Sequence, residues 1–198
     1  MTSERIRVAK LGGSLLALDD LAHRLEDWLG HEPPAKTVMI VGGGPPVEML
    51  RRWSIKRRWS NEQSHWSAIR VMGINARRVT HSADDWPLIS DLGQAMNDDS
   101  PVVVLDVEDA LRSQGAAGGA SLPCSWEVTS DSIAAWLAIQ LGTEELVLFK
   151  SISAKGADLE ELSANGVVDG YFPEVAAGLV VRIINLGERL ARRPGVNH

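Results

Sequence analysis

The chain has 198 residues, 44% of them hydrophobic and 23% charged, with a formal net charge of −6. This is ordinary globular composition, enough for a sizeable core; it excludes a general nucleic-acid binder and leaves room for a local basic pocket. The single cysteine, Cys124, excludes an internal disulfide and suits a reducing compartment. With no leader-like segment and no apolar run of membrane-spanning length, the expectation is a cytoplasmic protein without membrane or nucleic-acid partners.

Ile6 to Leu11 predicts a buried parallel strand, closed by Gly12-Gly13-Ser14. Leu15 to Leu29 carries apolar residues at helical spacing, with Asp19 or Asp20 as a cap near its start and Gly30 with Pro33-Pro34 as its stop. Thr37 to Val41 is a second strand, followed by Gly42-Gly43-Gly44-Pro45-Pro46 and a helix from Val47 to about Trp59. That helix ends in Arg51, Arg52, Lys56, Arg57 and Arg58, which read as a solvated face with favourable C-terminal cations, a collar for an acidic ligand being the lesser alternative. Asn61 to Arg78 predicts a third helix with His65, Trp66, Ile69, Met72 and Ala76 on one face. A short helix and loop are expected over Asp84 to Asn97, a strand at Pro101 to Leu105, a short helix over Asp106 to Arg112, and a Gly/Ala-rich loop over Gln114 to Ser121.

Thr129-Ser130-Asp131 opens the strongest helical pattern, Ser132 to Leu141, ended by Gly142. Glu145 to Phe149 is a fourth clear strand that runs into the polar loop Lys150 to Gly156. Tyr171-Phe172-Pro173 leads to a short helix, and Leu179 to Ile184 is a final strand. Strands alternating with helices predict a mostly parallel sheet covered on both faces, in one domain with no linker.

Parallel strands end on one side of their sheet, and ligands bind there. Two strand-then-glycine units in matching positions bring backbone N–H groups and helix N-termini to such an edge, which favours phosphate over plain tight turns. The pattern is neither a P-loop nor a dinucleotide fingerprint, because Lys10 precedes its glycines and Val47 stands where a third glycine is required. Alternation along the first strand is expected to orient Lys10 away from its apolar neighbours Val8 and Leu11. A lysine in a buried strand is costly unless it meets an anion. Lys150 ends the fourth strand in a comparable place, and Asp131 in the first turn of its helix is expected to pair with one or both lysines. Positive charge, glycine amides and positioning are what phosphoryl transfer needs, with Mg²⁺ riding on nucleotide phosphates because no protein cage for it is evident.

Val8-Ala9-Lys10-Leu11-Gly12-Gly13-Ser14, Val41-Gly42-Gly43-Gly44-Pro45 and Thr129-Ser130-Asp131-Ser132-Ile133-Ala134-Ala135 resemble, in the same order, the amino-acid kinase superfamily. The resemblance implies a three-layer αβα sandwich, an ATP-dependent phosphotransferase with ATP and Mg²⁺ as cofactors, a small phosphorylated or carboxylate-bearing substrate and a homo-oligomer. It implies catalytic roles for Lys10 and Asp131 and a phosphate cradle at Gly12, Gly13, Gly43 and Gly44; the reading of the residues themselves adds Lys150 as catalytic and Ser14, Gly42, Ser151 and Lys155 to the phosphate- and nucleotide-binding set. Ser64 to Met72 and Leu122 to Asp131 further resemble the compact branch containing the aminomethylfuranmethanol-phosphate kinases of methanofuran biosynthesis. That narrower likeness implies a phosphomonoester acceptor, a diphosphate product, and His65, Trp126 and Ser130 at the acceptor, core packing of His65 and Trp126 being the equal alternative. Two segments depart from the superfamily. Lys150-Ser151-Ile152-Ser153-Ala154-Lys155-Gly156 lacks the acids many relatives carry there, and Val168 to Glu174 lacks their second lysine. A non-catalytic ligand-binding or regulatory member of the same fold is therefore the second reading.

Overall fold

The computed structural model describes residues 5–83, 85–116, 122–154 and 158–188. Six strands form one sheet: β1 (Ile6–Leu11), β2 (Lys36–Val41), β3 (Leu88–Ile89), β4 (Val102–Leu105), β5 (Glu145–Lys150) and β6 (Val180–Asn185). Every pairing is parallel and the order is β3-β4-β2-β1-β5-β6, so β1 lies at the centre. The helices are α1 (Leu21–His31), α2 (Pro45–Arg57), α3 (Asn61–Thr80), α4 (Leu92–Asn97), α5 (Val107–Ala116), α6 (Ser130–Gln140), α7 (Leu159–Ala164) and α8 (Phe172–Ala176).

The central strands are apolar on both faces, as parallel strands between helical layers must be. Val8, Ile40, Val103 and Leu148 point into one core, shared with α6 and α8, while Leu11, Met39, Val104 and Phe149 point into the other, shared with α1. This is the expected αβα sandwich. Helix α6 runs buried from Asp131 to Ala138 and is apolar almost all round, which suits a helix enclosed by other elements. Helix α3 starts where a reciprocal cap forms: the Gln63 N–H donates to Ser60 Oγ, and the Ser60 N–H donates to Gln63 Oε1.

Several boundaries differ from the sequence expectation. The helix expected over Leu15 to Leu29 is two pieces: a 3₁₀ turn at Gly13–Ala17, then α1 after an extended Leu18. Leu15 and Leu18 are three residues apart, a spacing that fits a 3₁₀ turn as well as an α-helix. Asp20 precedes α1 but does not cap it through its side chain; that carboxylate accepts from Arg24 Nε at 2.8 Å, and Gly30 lies inside the helix. The two-residue strand β3 and the six-residue helix α7 are shorter than any periodicity can reveal. Helix α5 extends into the expected Gly/Ala loop as far as Ala116, and the rest of that loop lies outside the described residues. Among the described residues no helix is long and apolar enough to cross a membrane.

Candidate active site

Strands β1 and β5 are neighbours, with Lys10 opposite Leu148 in the register. Alternation puts Lys10 on the face of Val8, and Lys150 on that of Leu146 and Leu148, which is the face covered by α6. The expected orientation of Lys10 is corrected here: it opposes Leu11 but shares its face with Val8, two residues earlier. Both lysines therefore reach the same layer, where α6 presents Asp131 in its first turn.

Lys10 Nζ lies 2.9 Å from Asp131 Oδ1, and Lys150 Nζ lies 2.7 Å from Asp131 Oδ2. Lys10 is 4% exposed and Asp131 5%. One carboxylate between two ammonium groups leaves the trio with an excess positive charge away from water, an arrangement an added anion would balance. Burial raises the Asp131 carboxyl, but Lys10 and Lys150 outweigh it and hold the group below the usual aspartate range. Lys150 is pushed down to about 8, by burial first and by the Lys10 charge second, against the pull of Asp131. Its ammonium donates to Asp131 Oδ1 at 2.9 Å, to Asp131 Oδ2 at 2.7 Å and to the Val167 carbonyl at 2.7 Å. All three of its protons thus have acceptors.

The two glycine turns touch each other beside this trio. A Cβ on Gly13 would stand 2.2 Å from Gly44 N, and Gly44 has φ +63°, so neither position accepts a side chain without moving backbone. The N–H groups of Gly12 and Gly42 are already spent: they extend the sheet by donating to Phe149 O at 2.9 Å and Leu11 O at 2.8 Å. These two glycines therefore do not offer a phosphate their amides, which corrects the expectation for them. Gly13 and Ser14 open the 3₁₀ turn, where N–H groups have no partner within the turn. They line the cavity, as do Gly43 and Gly44.

The cavity has a volume of about 690 Å³, the size of a small-molecule site. Lys10, Lys150 and Asp131 line it together with the glycine turns, and Val47, Ile69, Met72, Val128 and Ile133 supply an apolar wall. His65, Trp126 and Ser130 also line it. His65 is buried, which pushes its imidazole below the ordinary value against an opposing contact with the Ser125 backbone. The ring is thus neutral near pH 7. Ser151 is exposed and lies off the lining, with its Oγ 3.5 Å from Ser14 Oγ. Lys155 lies outside the described residues.

The structure adds three features of the site, the first of them expected only as the lesser alternative. The basic cluster of α2 divides: Arg51 and Arg52 line the cavity, whereas Lys56, Arg57 and Arg58 lie off its lining. The Arg51 guanidinium lies 4.8 Å from the Trp126 ring centroid, a cation–π distance. Asn75 of α3 is buried and donates through Nδ2 to Gly42 O at 2.8 Å and to Gly43 O at 3.0 Å, holding the second glycine turn from behind. Asp169 accepts from Thr129 and Ser132 at the start of α6. A buried asparagine one position off an apolar helical stripe, and an acid in a segment that departs from relatives, were the available signals. Among the described residues no group of three or more His, Cys, Asp or Glu side chains is placed to hold a metal ion.

No protein-family model matches the sequence, and no curated protein matches it. Among solved structures, the uridylate kinase of Archaeoglobus fulgidus is similar at a TM-score of 0.62 and 17% identity, over 91% of this chain and 90% of that one. The UMP kinase of Ureaplasma parvum is similar at a TM-score of 0.61 and 11% identity, over 93% of this chain and 91% of that one. The UMP kinase of Bacillus anthracis is similar at a TM-score of 0.60 and 13% identity, over 93% and 88%. The chain shares the fold of these kinases across nearly its whole length.

Proposed function

We propose that this chain is an ATP-dependent phosphotransferase of the amino-acid kinase superfamily, acting on a small phosphate-bearing acceptor. The observation that carries the proposal is the Lys10–Asp131–Lys150 trio, buried with excess positive charge beside two abutting glycine turns. In the reaction an acceptor phosphate oxygen attacks the γ-phosphorus of ATP, the β–γ bridge bond breaks, and ADP leaves. Lys10 and Lys150 stabilise charge on the transferring oxygens, and Asp131 holds both ammonium groups in place. The N–H groups of Gly13, Ser14, Gly43 and Gly44 receive phosphate oxygens. Asp131 spends both oxygens on lysines, so the donor set suits Mg²⁺ carried mainly by nucleotide phosphates, where it neutralises their charge.

Arg51 and Arg52 on the cavity lining favour an anionic acceptor, and the apolar wall with Trp126 favours one with a flat or apolar body. Aminomethylfuranmethanol phosphate, giving a diphosphate, is the leading candidate. Its support is that both segments resembling that branch, Ser64 to Met72 and Leu122 to Asp131, contribute residues to the cavity. The second reading, a non-catalytic binder, draws on Lys150, whose three protons are all taken by Asp131 and Val167.

The test incubates purified protein with ATP and Mg²⁺ against aminomethylfuranmethanol phosphate, UMP, isopentenyl phosphate and acetylglutamate, with products read by ³¹P NMR. Transfer to a phosphomonoester, abolished in a folded Lys10→Ala variant, is the expected result. Full activity in Lys10→Ala would sink the mechanism, and no ATP binding at millimolar concentration by calorimetry would establish the non-catalytic reading.

A further inference from the structure

Asp169 sits between α7 and α8, in one of the two segments that depart from the superfamily pattern, yet four donors converge on its carboxylate. Thr129 N at 3.1 Å, Thr129 Oγ1 at 2.7 Å and Ser132 N at 3.1 Å donate to Oδ2, and Ser132 Oγ donates to Oδ1. Thr129 is the N-cap residue of α6 but makes no side-chain cap of its own. Its hydroxyl instead donates to an acid forty residues away in the chain. The first-turn N–H groups of a helix lack intrahelical partners, and a carboxylate there also meets the positive end of the helix dipole.

The same segment reaches the lysines. Two residues before Asp169, the Val167 carbonyl accepts from Lys150 Nζ at 2.7 Å. The segment is anchored on both sides: Ser163 Oγ donates to Asp169 O at 3.3 Å, and Tyr171 N donates to Glu127 O at 3.3 Å. We infer that Asp169 is a positioning residue: it pins the first turn of α6, so that Asp131 meets both lysines, and its charge offsets the excess positive charge of Lys10 and Lys150. The groups that set the Lys150 environment then come from four places. They are Lys10 on β1, Asp131 on α6, the Val167 carbonyl, and Asp169, whose charge favours protonated Lys150. The second phosphate-binding lysine of relatives is absent from this region, and a device that steadies Lys150 from the side stands there instead.

The consequence for catalysis rests on the phosphotransferase reading, but the test does not, because it is made on ligand-free protein. The Lys150 side chain is titrated by NMR in uniformly labelled protein, with its signal assigned by loss in Lys150→Gln. In Asp169→Asn the Lys150 midpoint is expected to fall by about half a pH unit, roughly a threefold change in the deprotonated fraction, because Asp169 adds a smaller pull than Asp131. Asp169→Glu, which keeps the carboxylate, is expected to bring it back towards wild type, and Thr129→Val is expected to lower thermal stability while leaving it in place. Should Asp169→Asn not fold, Asp169→Ser in trimethylamine N-oxide supplies a second neutral substitution. A Lys150 midpoint within about 0.2 of wild type in either folded neutral variant overturns the inference and leaves Asp169 as a helix cap only. If instead the midpoint moves as expected and no acceptor is phosphorylated, the positioning role stands and the kinase reading falls.

Discussion

Replacing Asp131 by Asn keeps the side-chain shape and removes the one negative charge that contacts both lysines, the buried Lys10 and the partly buried Lys150. Breaking a buried ion pair by neutralising one partner typically costs about 3–5 kcal/mol, because an uncompensated charge stays behind. Two features bound the cost here. Lys150 keeps its bond to the Val167 carbonyl, and its pKa is already down to about 8. At pH 7 it can escape the penalty by releasing its proton, at a cost of about 1–2 kcal/mol. The remainder falls on Lys10, which loses its carboxylate outright. A loss of about 3–4 kcal/mol at pH 7 is therefore expected. At pH 9 Lys150 is largely neutral in the wild-type protein too, so the difference between the two proteins should shrink by about 1 kcal/mol. Urea unfolding of both proteins at pH 7 and pH 9 measures this. A pH-independent difference, or one below about 0.5 kcal/mol at pH 7, would refute a buried, charge-sharing trio.

Four further outcomes are expected. Gly13→Ala places a Cβ 2.2 Å from Gly44 N and must push the two glycine turns apart; calorimetry should show ATP–Mg²⁺ affinity falling at least about tenfold, and an unchanged Kd would contradict the phosphate-cradle assignment. Asn75→Leu leaves the Gly42 and Gly43 carbonyls unpaired, which should cost about 1–3 kcal/mol in urea unfolding and raise the Kd for ATP–Mg²⁺. Lys150 is cationic below about 8, so ATP–Mg²⁺ affinity should weaken as pH rises through that value; the group's own linkage to folding has the opposite sense, since the unfolded chain binds the extra proton between about 8 and 10.5 and stability there rises with pH. Arg7 is 1% exposed near the start of β1 and donates to Glu145 Oε1 at 2.9 Å and Pro33 O at 3.1 Å, so Arg7→Leu should cost about 3–5 kcal/mol in stability while leaving activity per folded molecule intact.

The strands with two apolar faces, the glycine runs that close β1 and β2, and the apolar helix that opens with Asp131 were all legible in the sequence. Local patterns carry them: a buried parallel strand needs a continuous apolar run, and a strand-to-helix turn at a phosphate edge needs glycine. From these the sandwich and the candidate residues Lys10, Asp131 and Lys150 could be named. The two-residue β3 and the six-residue α7 went unseen, whereas the similarly short α8 was marked by Pro173 in its first turn.

The meeting of these residues was decided by tertiary structure alone. Strand order set β5 beside β1, and the register aligned the two lysines on one face, the one that also holds Val8. The N–H groups of Gly12 and Gly42 looked like their neighbours in sequence, and only the sheet ladder consumed them. Asn75 behind the glycine turn, Asp169 at the head of α6 and the Val167 carbonyl on Lys150 are contacts across seventeen to forty residues. A side chain's type is local, but its hydrogen-bond partner is chosen by packing, and in this site the packing turns three separated charges into one trio.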